Sequence, residues 1–289
     1  MPQVALLLST LIWGATFPAT KAVLDQLPPL SFLFIRFCLG TLLVLGVYGL
    51  VAGRPGLDRG LARRSAIATV FLFLGYVTQT VGLRDTTASN SAFITALYVV
   101  LVPVFLRRFD GRTWFAAGLS VAGLWLLVNP FGSVNVGDLW SLACAVAFGA
   151  HIACLESYTR AGDPWKLFVW QMVLVTIVLA PVMMLESRGA DAWALTPVLG
   201  LALLITGVLA TGAFAVQIWV QQILPAQKVA LIYSMEPAYA AWLAWYFLGE
   251  RMGVQGLIGS GLILLAVVIG SLTQSVSRLQ QPLGSAATG

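Results

Sequence analysis

Ten apolar stretches follow one another along the chain, roughly 4–24, 31–51, 65–84, 88–107, 113–129, 137–158, 165–186, 195–221, 226–248 and 253–275, with only short connections between them. Each approaches the ~20 residues an α-helix needs to cross bilayer hydrocarbon. Hydrocarbon offers no partner to a bare backbone N–H or C=O, so a spanning segment has to satisfy its own hydrogen bonds as a helix. Composition removes the soluble alternative: 59% of residues are hydrophobic and 9% are charged, against about 25% charged in a soluble domain. The expected fold is all-α, a membrane protein of ten transmembrane helices. The segment 276–289 is expected to be a disordered cytoplasmic tail. The first stretch has no basic segment before it and no small-residue cleavage site after it, so it is expected to be a retained helix rather than a signal peptide.

The ten stretches are two sets of five. Residues 75–127 lie over 213–265 at a constant offset of 138, which stacks Gly111, Gly118 and Gly123 on Gly249, Gly256 and Gly261, Gln79 on Gln217, and Phe109 on Phe247. An offset of 135 puts Gly14-Ala15 on Gly149-Ala150 and Pro29 on Pro164. The halves are 1–133 and 134–275. Charge then orients them. With the N-terminus inside, Arg54, Arg59, Arg63, Arg64, Arg107, Arg108, Arg112, Arg160, Lys166, Lys228 and Arg278 fall on the cytoplasmic side, and Lys21, Arg84, Arg188 and Arg251 fall outside. Positive residues favour the cytoplasm, so both termini are expected there, in a bacterial inner membrane. An odd number of spans per half inverts the second half relative to the first. The net charge of +5 is thereby a matter of topology, and no nucleic-acid partner is expected.

Polar side chains within hydrocarbon are costly and face a bundle interior or a wet cavity. Trp13 and Thr16 in the first span correspond to Phe148 and His151 in the sixth. Tyr76, Gln79 and Thr80 share a face of the third, matched in the eighth by Phe214, Gln217 and Ile218. Ser91, Thr95 and Tyr98 align along the fourth, and Tyr233 and Glu236 of the ninth stand where Thr95 and Tyr98 do. Six spans thus present polar or aromatic groups at matching depths, which implies a central cavity. Structural alternatives stand beside this. His151 could serve a neighbouring helix, Gln79 and Gln217 could be interhelical glue, and Glu236 could organise a break at Pro237. Arg36 and Lys21 lie near the outer ends of their spans, where they could snorkel or form a positive vestibule. Trp114, Trp140, Trp165, Trp193 and Trp245 read as interface anchors. Cys38, Cys144 and Cys154 have no paired spacing and read as packing residues. The fifth and tenth spans carry closely spaced glycines and read as packing or dimer helices.

Several of these motifs resemble one family. They are Trp13-Gly14-Ala15 with Phe17, Arg36, Ser234-Met235-Glu236-Pro237, Leu248-Gly249-Glu250-Arg251 and the Gly256–Gly261 run. Together they are similar to the EamA branch of the drug/metabolite transporter superfamily, across nearly the whole chain. The resemblance implies two inverted five-helix repeats, a cavity lined by spans one, three, four, six, eight and nine, and alternating access. Gly111-Arg112 stands where Gly249-Glu250 stands in the second half, so the halves are not chemically identical. The first span also lacks the glutamate that small multidrug pumps of the superfamily carry there.

The expected function is secondary transport of small amphipathic metabolites, amino acids or relatives, with export the expected direction. Import of a vitamin or sugar-like solute is the alternative. Trp13, Thr16, Tyr76, Gln79, Thr95, Tyr98, Phe148, His151, Phe214, Gln217, Tyr233 and Glu236 are the expected substrate-binding set, with Glu236 and His151 as candidates for proton coupling. No Gly-rich Lys-Ser/Thr phosphate loop is present, so the drive is expected to come from a gradient. No cofactor or metal is expected. An intramembrane enzyme is disfavoured because the sequence has one histidine, no zinc-protease pattern and no second mid-span carboxylate. The expected partners are substrate and lipid, with the chain monomeric or a homodimer through its fifth or tenth helix.

Overall fold

The computed structural model describes residues 2–107, 111–128, 135–186, 195–224, 229, 232–233 and 235–279. Arg108, Phe109, Arg188, Trp193, Lys228, Ser234 and the tail past 279 lie outside the described residues, as do the side chains of Arg112 and Arg278. All regular structure among the described residues is helical. In chain order the helices are α1 (Pro2–Lys21), α2 (Pro29–Ala52), α3 (Arg59–Asp85), α4 (Ala88–Thr95), α5 (Tyr98–Phe105), α6 (Gly111–Val128), α7 (Val136–Tyr158) and α8 (Pro164–Met183). Then come α9 (Pro197–Leu203), a π-helical turn (Leu204–Leu209), α10 (Ala210–Ile223), α11 (Glu236–Leu248) and α12 (Val254–Leu279). Seven runs are long and apolar enough to cross a membrane, and two shorter apolar stretches, Trp114–Leu127 and Val254–Ala266, lie in α6 and α12.

Local sequence explains where these helices begin. Pro29, Pro164, Pro197 and Pro237 each occupy a first turn, where a missing N–H costs nothing. Asp58, Thr87, Asn135, Asp163 and Thr196 cap α3, α4, α7, α8 and α9 through their side chains. At Asp58, which is solvent-exposed, the Leu61 N–H donates to the carboxylate and holds its pKa below the ordinary aspartate range.

Two spans expected to be continuous are broken. The fourth divides into α4 and α5 at Ala96-Leu97, where the chain tightens to three-residue hydrogen bonds such as Leu97 N–H to Ile94 O, 3.1 Å. In the ninth, Val229, Ile232 and Tyr233 are helical, Met235 makes a turn with its N–H donating to Ile232 O (3.3 Å), and a new helix starts at Glu236, so Glu236 stands at a break within the span. Pro237 lies in the first turn of the helix that starts there. Tyr98 opens α5 and Glu236 opens α11, and these residues stand 138 apart in sequence.

Tight glycine contacts set the packing of the core. A Cβ on Gly14 of α1 would meet Glu236 O at 2.9 Å and Tyr239 Cβ at 2.9 Å in α11. One on Gly149 of α7 would meet Phe105 at 3.1 Å and Leu101 Cβ at 3.2 Å in α5. Gly149 and Leu101 are the counterparts of Gly14 and Tyr239 in the other half, so the contact recurs reciprocally. Gly123 of α6 and Gly259 of α12 are also in close approach, each lying 2.7 Å from the other's carbonyl once given a Cβ. The fifth and tenth spans are thus packing helices against one another.

One end of the bundle is tied by charged side chains on helix termini. Glu250 accepts from Ala88 N–H (2.8 Å), Ser89 N–H (3.0 Å) and Ser89 Oγ (2.8 Å) at the start of α4. Gly249, at φ +66°, ends α11 in the left-handed conformation that turns Glu250 back toward that site. Glu186 repeats the arrangement on α2, accepting from Leu30 N–H (2.9 Å), Ser31 N–H (2.9 Å) and Ser31 Oγ (3.0 Å). Both carboxylates meet the positive end of a helix dipole. Lys21 does the converse at the end of α3, donating to Leu83 O (2.7 Å), Arg84 O (3.1 Å) and Thr86 O (2.9 Å). Lys21 is thereby engaged with the end of α3.

Polarity is distributed for a bilayer. Leu8, Leu42, Val47, Leu50 and Val51 are exposed, while Thr10, Ser31, Arg36, Gln79, His151, Gln171 and Gln217 are buried. Trp114, Trp140, Trp165 and Trp245 are exposed near helix ends. Cys38, Cys144 and Cys154 are all free thiols.

Candidate functional site

A cavity opens where α1, α3, α7 and α10 meet the two broken spans. It is lined by Trp13, Thr16, Tyr76, Gln79, Thr95, Tyr98, Phe148, His151, Phe214, Gln217, Tyr233 and Glu236, together with Leu72 and Ile152. All twelve residues singled out from the sequence therefore face one space. Leu72 and Ile152 complete it, and sequence could not mark them because an apolar residue facing a cavity looks like one facing lipid. The free space is about 70 Å³, enough for a handful of waters at roughly 10–15 Å³ each.

The start of each broken span supplies the polar centre. Tyr98 Oη donates to Glu236 Oε2 at 3.0 Å, joining the first residue of α5 to the first of α11. Trp13 and Tyr233 pack beside it, tilted 59° to one another with centroids 5.0 Å apart. Trp13 Nε1 reaches Ala210 O at 3.4 Å, just beyond the π-helical turn. Among the described residues the buried Tyr233 hydroxyl has no hydrogen-bond partner. An unpaired hydroxyl on a cavity wall is a ready ligand contact.

The other wall is built around His151. Its Nε2 lies 2.8 Å from Gln171 Oε1 of α8. Because Gln171 Nε2 donates to Leu167 O, Oε1 is the acceptor and His151 Nε2 carries the hydrogen. The ring packs 6.0 Å from Phe214. His151 thus bonds a neighbouring helix and also lines the cavity. Gln171 was missed in the sequence, although a lone glutamine within an apolar span was a sufficient signal.

Not every lining hydroxyl is available. Thr16 donates to Trp13 O at 2.7 Å, and Thr95 points at Cys144 Sγ at 3.7 Å. Gln79 and Gln217 are both buried, yet among the described residues neither hydrogen-bonds another helix. Both carboxamides line the cavity. A larger crevice of about 510 Å³ lies to the side between α2, α8 and α10, but it is lined mainly by residues such as Leu43, Val47, Phe168 and Ala215. It lacks the convergent polar groups of a binding site. No cluster of metal-ligating side chains occurs among the described residues.

Arg36 departs from expectation. It is 4% exposed rather than snorkelling, with its guanidinium 4.6 Å from the Tyr76 ring centroid and 5.4 Å from that of Phe37. Tyr76 in turn meets Phe148 edge-on at 5.1 Å, which connects Arg36 to the cavity wall.

This geometry agrees with what the chain is similar to. An Archaeoglobus fulgidus protein named as an uncharacterized transporter is 35% identical over 93% of this chain and 85% of its own length. The uncharacterized transporter YoaV of Bacillus subtilis is 23% identical over 92% of this chain and 95% of its length. The threonine/homoserine exporter RhtA of Escherichia coli is 30% identical, over 54% of this chain and 53% of its own. A solved crystal structure superposes with a TM-score of 0.69 over 94% of this chain and 97% of that one, at 14% identity, and so shares the fold. The model of the EamA-like transporter family matches residues 2–129 and again 135–272. The chain is a multi-pass membrane protein and belongs to the EamA-like transporter family.

Proposed function

We propose that this protein is a secondary transporter that exports small amphipathic metabolites, amino acids or their relatives, across a bacterial inner membrane by alternating access. The observation that carries this reading is the convergence of twelve polar and aromatic side chains from six spans on one cavity. Aromatic faces from Trp13, Tyr76, Phe148, Phe214 and Tyr233 suit the apolar part of a metabolite. Glu236, Tyr233, Gln79, Gln217 and His151 suit its polar groups. The cavity is too small for a metabolite until helices move, as expected of a carrier between its open states. The name of the relative RhtA favours amino acids and export.

Two inverted five-helix halves are the device we infer for that motion, with both termini cytoplasmic. The doubled family match and the reciprocal Gly14 and Gly149 contacts support it. So do the paired breaks before Tyr98 and Glu236, because discontinuous helices at mid-membrane build carrier sites. Glu236 and His151 are the groups we assign to any proton coupling. A homodimer would use the sides of α6 and α12 bearing Gly118 and Gly261, which meet nothing within 4 Å; the Gly123 and Gly259 sides are already engaged.

The test is efflux from proteoliposomes loaded with the twenty L-amino acids, read by mass spectrometry. Wild type should release a subset, and the Gln79→Leu/Gln217→Leu double variant should fold normally and release none. Efflux equal to protein-free liposomes for every amino acid would defeat the amino-acid reading. Indifference of wild-type efflux to an imposed proton gradient would remove Glu236 and His151 from coupling.

A further inference from the structure

We propose that Arg36 is an anion subsite that receives the carboxylate of the transported molecule, so that the carrier selects zwitterions. This rests on the carrier reading above and extends it. Arg36 lies on α2, a span whose sequence gave no sign of lining a cavity, about 10 Å along the helix from Pro29 at 1.5 Å per residue. Its side chain is 4% exposed, and a guanidinium keeps its charge in a protein interior. Yet, whereas Lys166 pairs with Asp163 at the start of α8, no carboxylate among the described residues is seen as a partner of Arg36. Two aromatic rings and a hydrogen bond to the Tyr76 hydroxyl are its counterparts, none of them an anion. Ring faces attract a cation but accept few of its five N–H donors. A buried charge without a counter-ion is a costly arrangement, and within a membrane span such charges mark substrate pathways.

The space beside it is about 10 Å³, room for about one water, until side chains move. Arg36 lines a small cavity with Tyr76, Thr206, Thr211 and Phe214. Thr206 and Thr211 spend their hydroxyl hydrogens on Ala202 O and Gly207 O at 2.7 Å each. Within this cavity they are therefore acceptors, and the positive charge comes from Arg36. Tyr76 and Phe214 line this cavity and the central one alike. Turning the Tyr76 ring off Arg36 would join the two spaces. The joined site would hold a carboxylate, Glu236, for an ammonium group and a guanidinium fork for a carboxylate, whose geometry it matches bidentately. The π-helical turn borders the same place: a Cβ on Gly207 would lie 3.2 Å from Arg36 O. Such turns recur at functional sites.

The experiment compares binding to purified protein in nanodiscs by thermal shift and equilibrium dialysis. The probes are the twenty L-amino acids, their carboxamides, and the matching carboxylic acids without the amino group. Wild type should bind at least one amino acid at least tenfold more tightly than its carboxamide. Arg36→Met should melt, without ligand, at or above the wild-type temperature, because an uncompensated buried charge has been removed, and it should bind that amino acid at least tenfold more weakly. Arg36→Gln should behave likewise, and if neither variant folds the wild-type comparison of acid with amide decides alone. Equal wild-type binding of amino acid and carboxamide, or undiminished amino-acid binding by Arg36→Met, overturns the subsite while leaving the carrier reading standing. Silence of wild type toward all three probe sets overturns both.

Discussion

Glu236 is bound by one hydroxyl, from Tyr98, so its second oxygen is left to the cavity. Hydrogen bonds to a charged group contribute about 1.5–3 kcal/mol, and each 1.4 kcal/mol is roughly tenfold in rate. Tyr98→Phe should therefore lower transport about tenfold or more while the protein still melts cooperatively, as proteoliposome efflux beside a melting curve will show. Gln171→Leu makes a different case. It strands the buried His151 N–H, which costs about 1–3 kcal/mol, so chemical denaturation should register a loss of stability. These roles were legible in uneven degree. Glu236, His151 and the two cavity glutamines stood out because polar groups in hydrocarbon are rare. The destination of Arg36 did not: a long cation near a span end usually reaches water, and only packing against Tyr76 and Phe37 holds this one inward.

At the scale of helices, close approach of backbones fixes the cavity walls, and Gly14 is one position that requires it. A methyl there would press on Glu236 O and Tyr239 Cβ at 2.9 Å, so Gly14→Ala should lose about 1–3 kcal/mol. Gly118→Ala meets nothing within 4 Å and gains helix propensity, so it should be neutral or stabilising by up to ~1 kcal/mol. Melting of both variants by tryptophan fluorescence checks the contrast. Span positions were legible because hydropathy and bilayer thickness leave little freedom. The break between Thr95 and Tyr98 was not, since no proline or glycine marks it. The carboxylate ties made by Glu186 and Glu250 were equally hidden, because each joins residues more than 150 positions apart.

Taken whole, the molecule is tied at the end bearing Lys21, Glu186 and Glu250, the end that the proposed topology puts outside. At the other end, Arg64 reaches Ala161 O at 3.3 Å, a weaker contact. Sided labelling tests the topology: in a cysteine-free background, Gly56→Cys should react with an impermeant maleimide from the cytoplasmic side and Gly253→Cys from the outer side. Reaction of both from one side would refute inverted halves. Alternating access through the central cavity is tested most directly at Thr95, which lines it and tolerates an isosteric change. Thr95→Cys in an active, otherwise cysteine-free carrier should react with a small charged thiol reagent applied from either side of the membrane, more slowly when transported amino acid is present. Reaction from one side only, unaffected by substrate while transport continues, would contradict a pathway through this cavity.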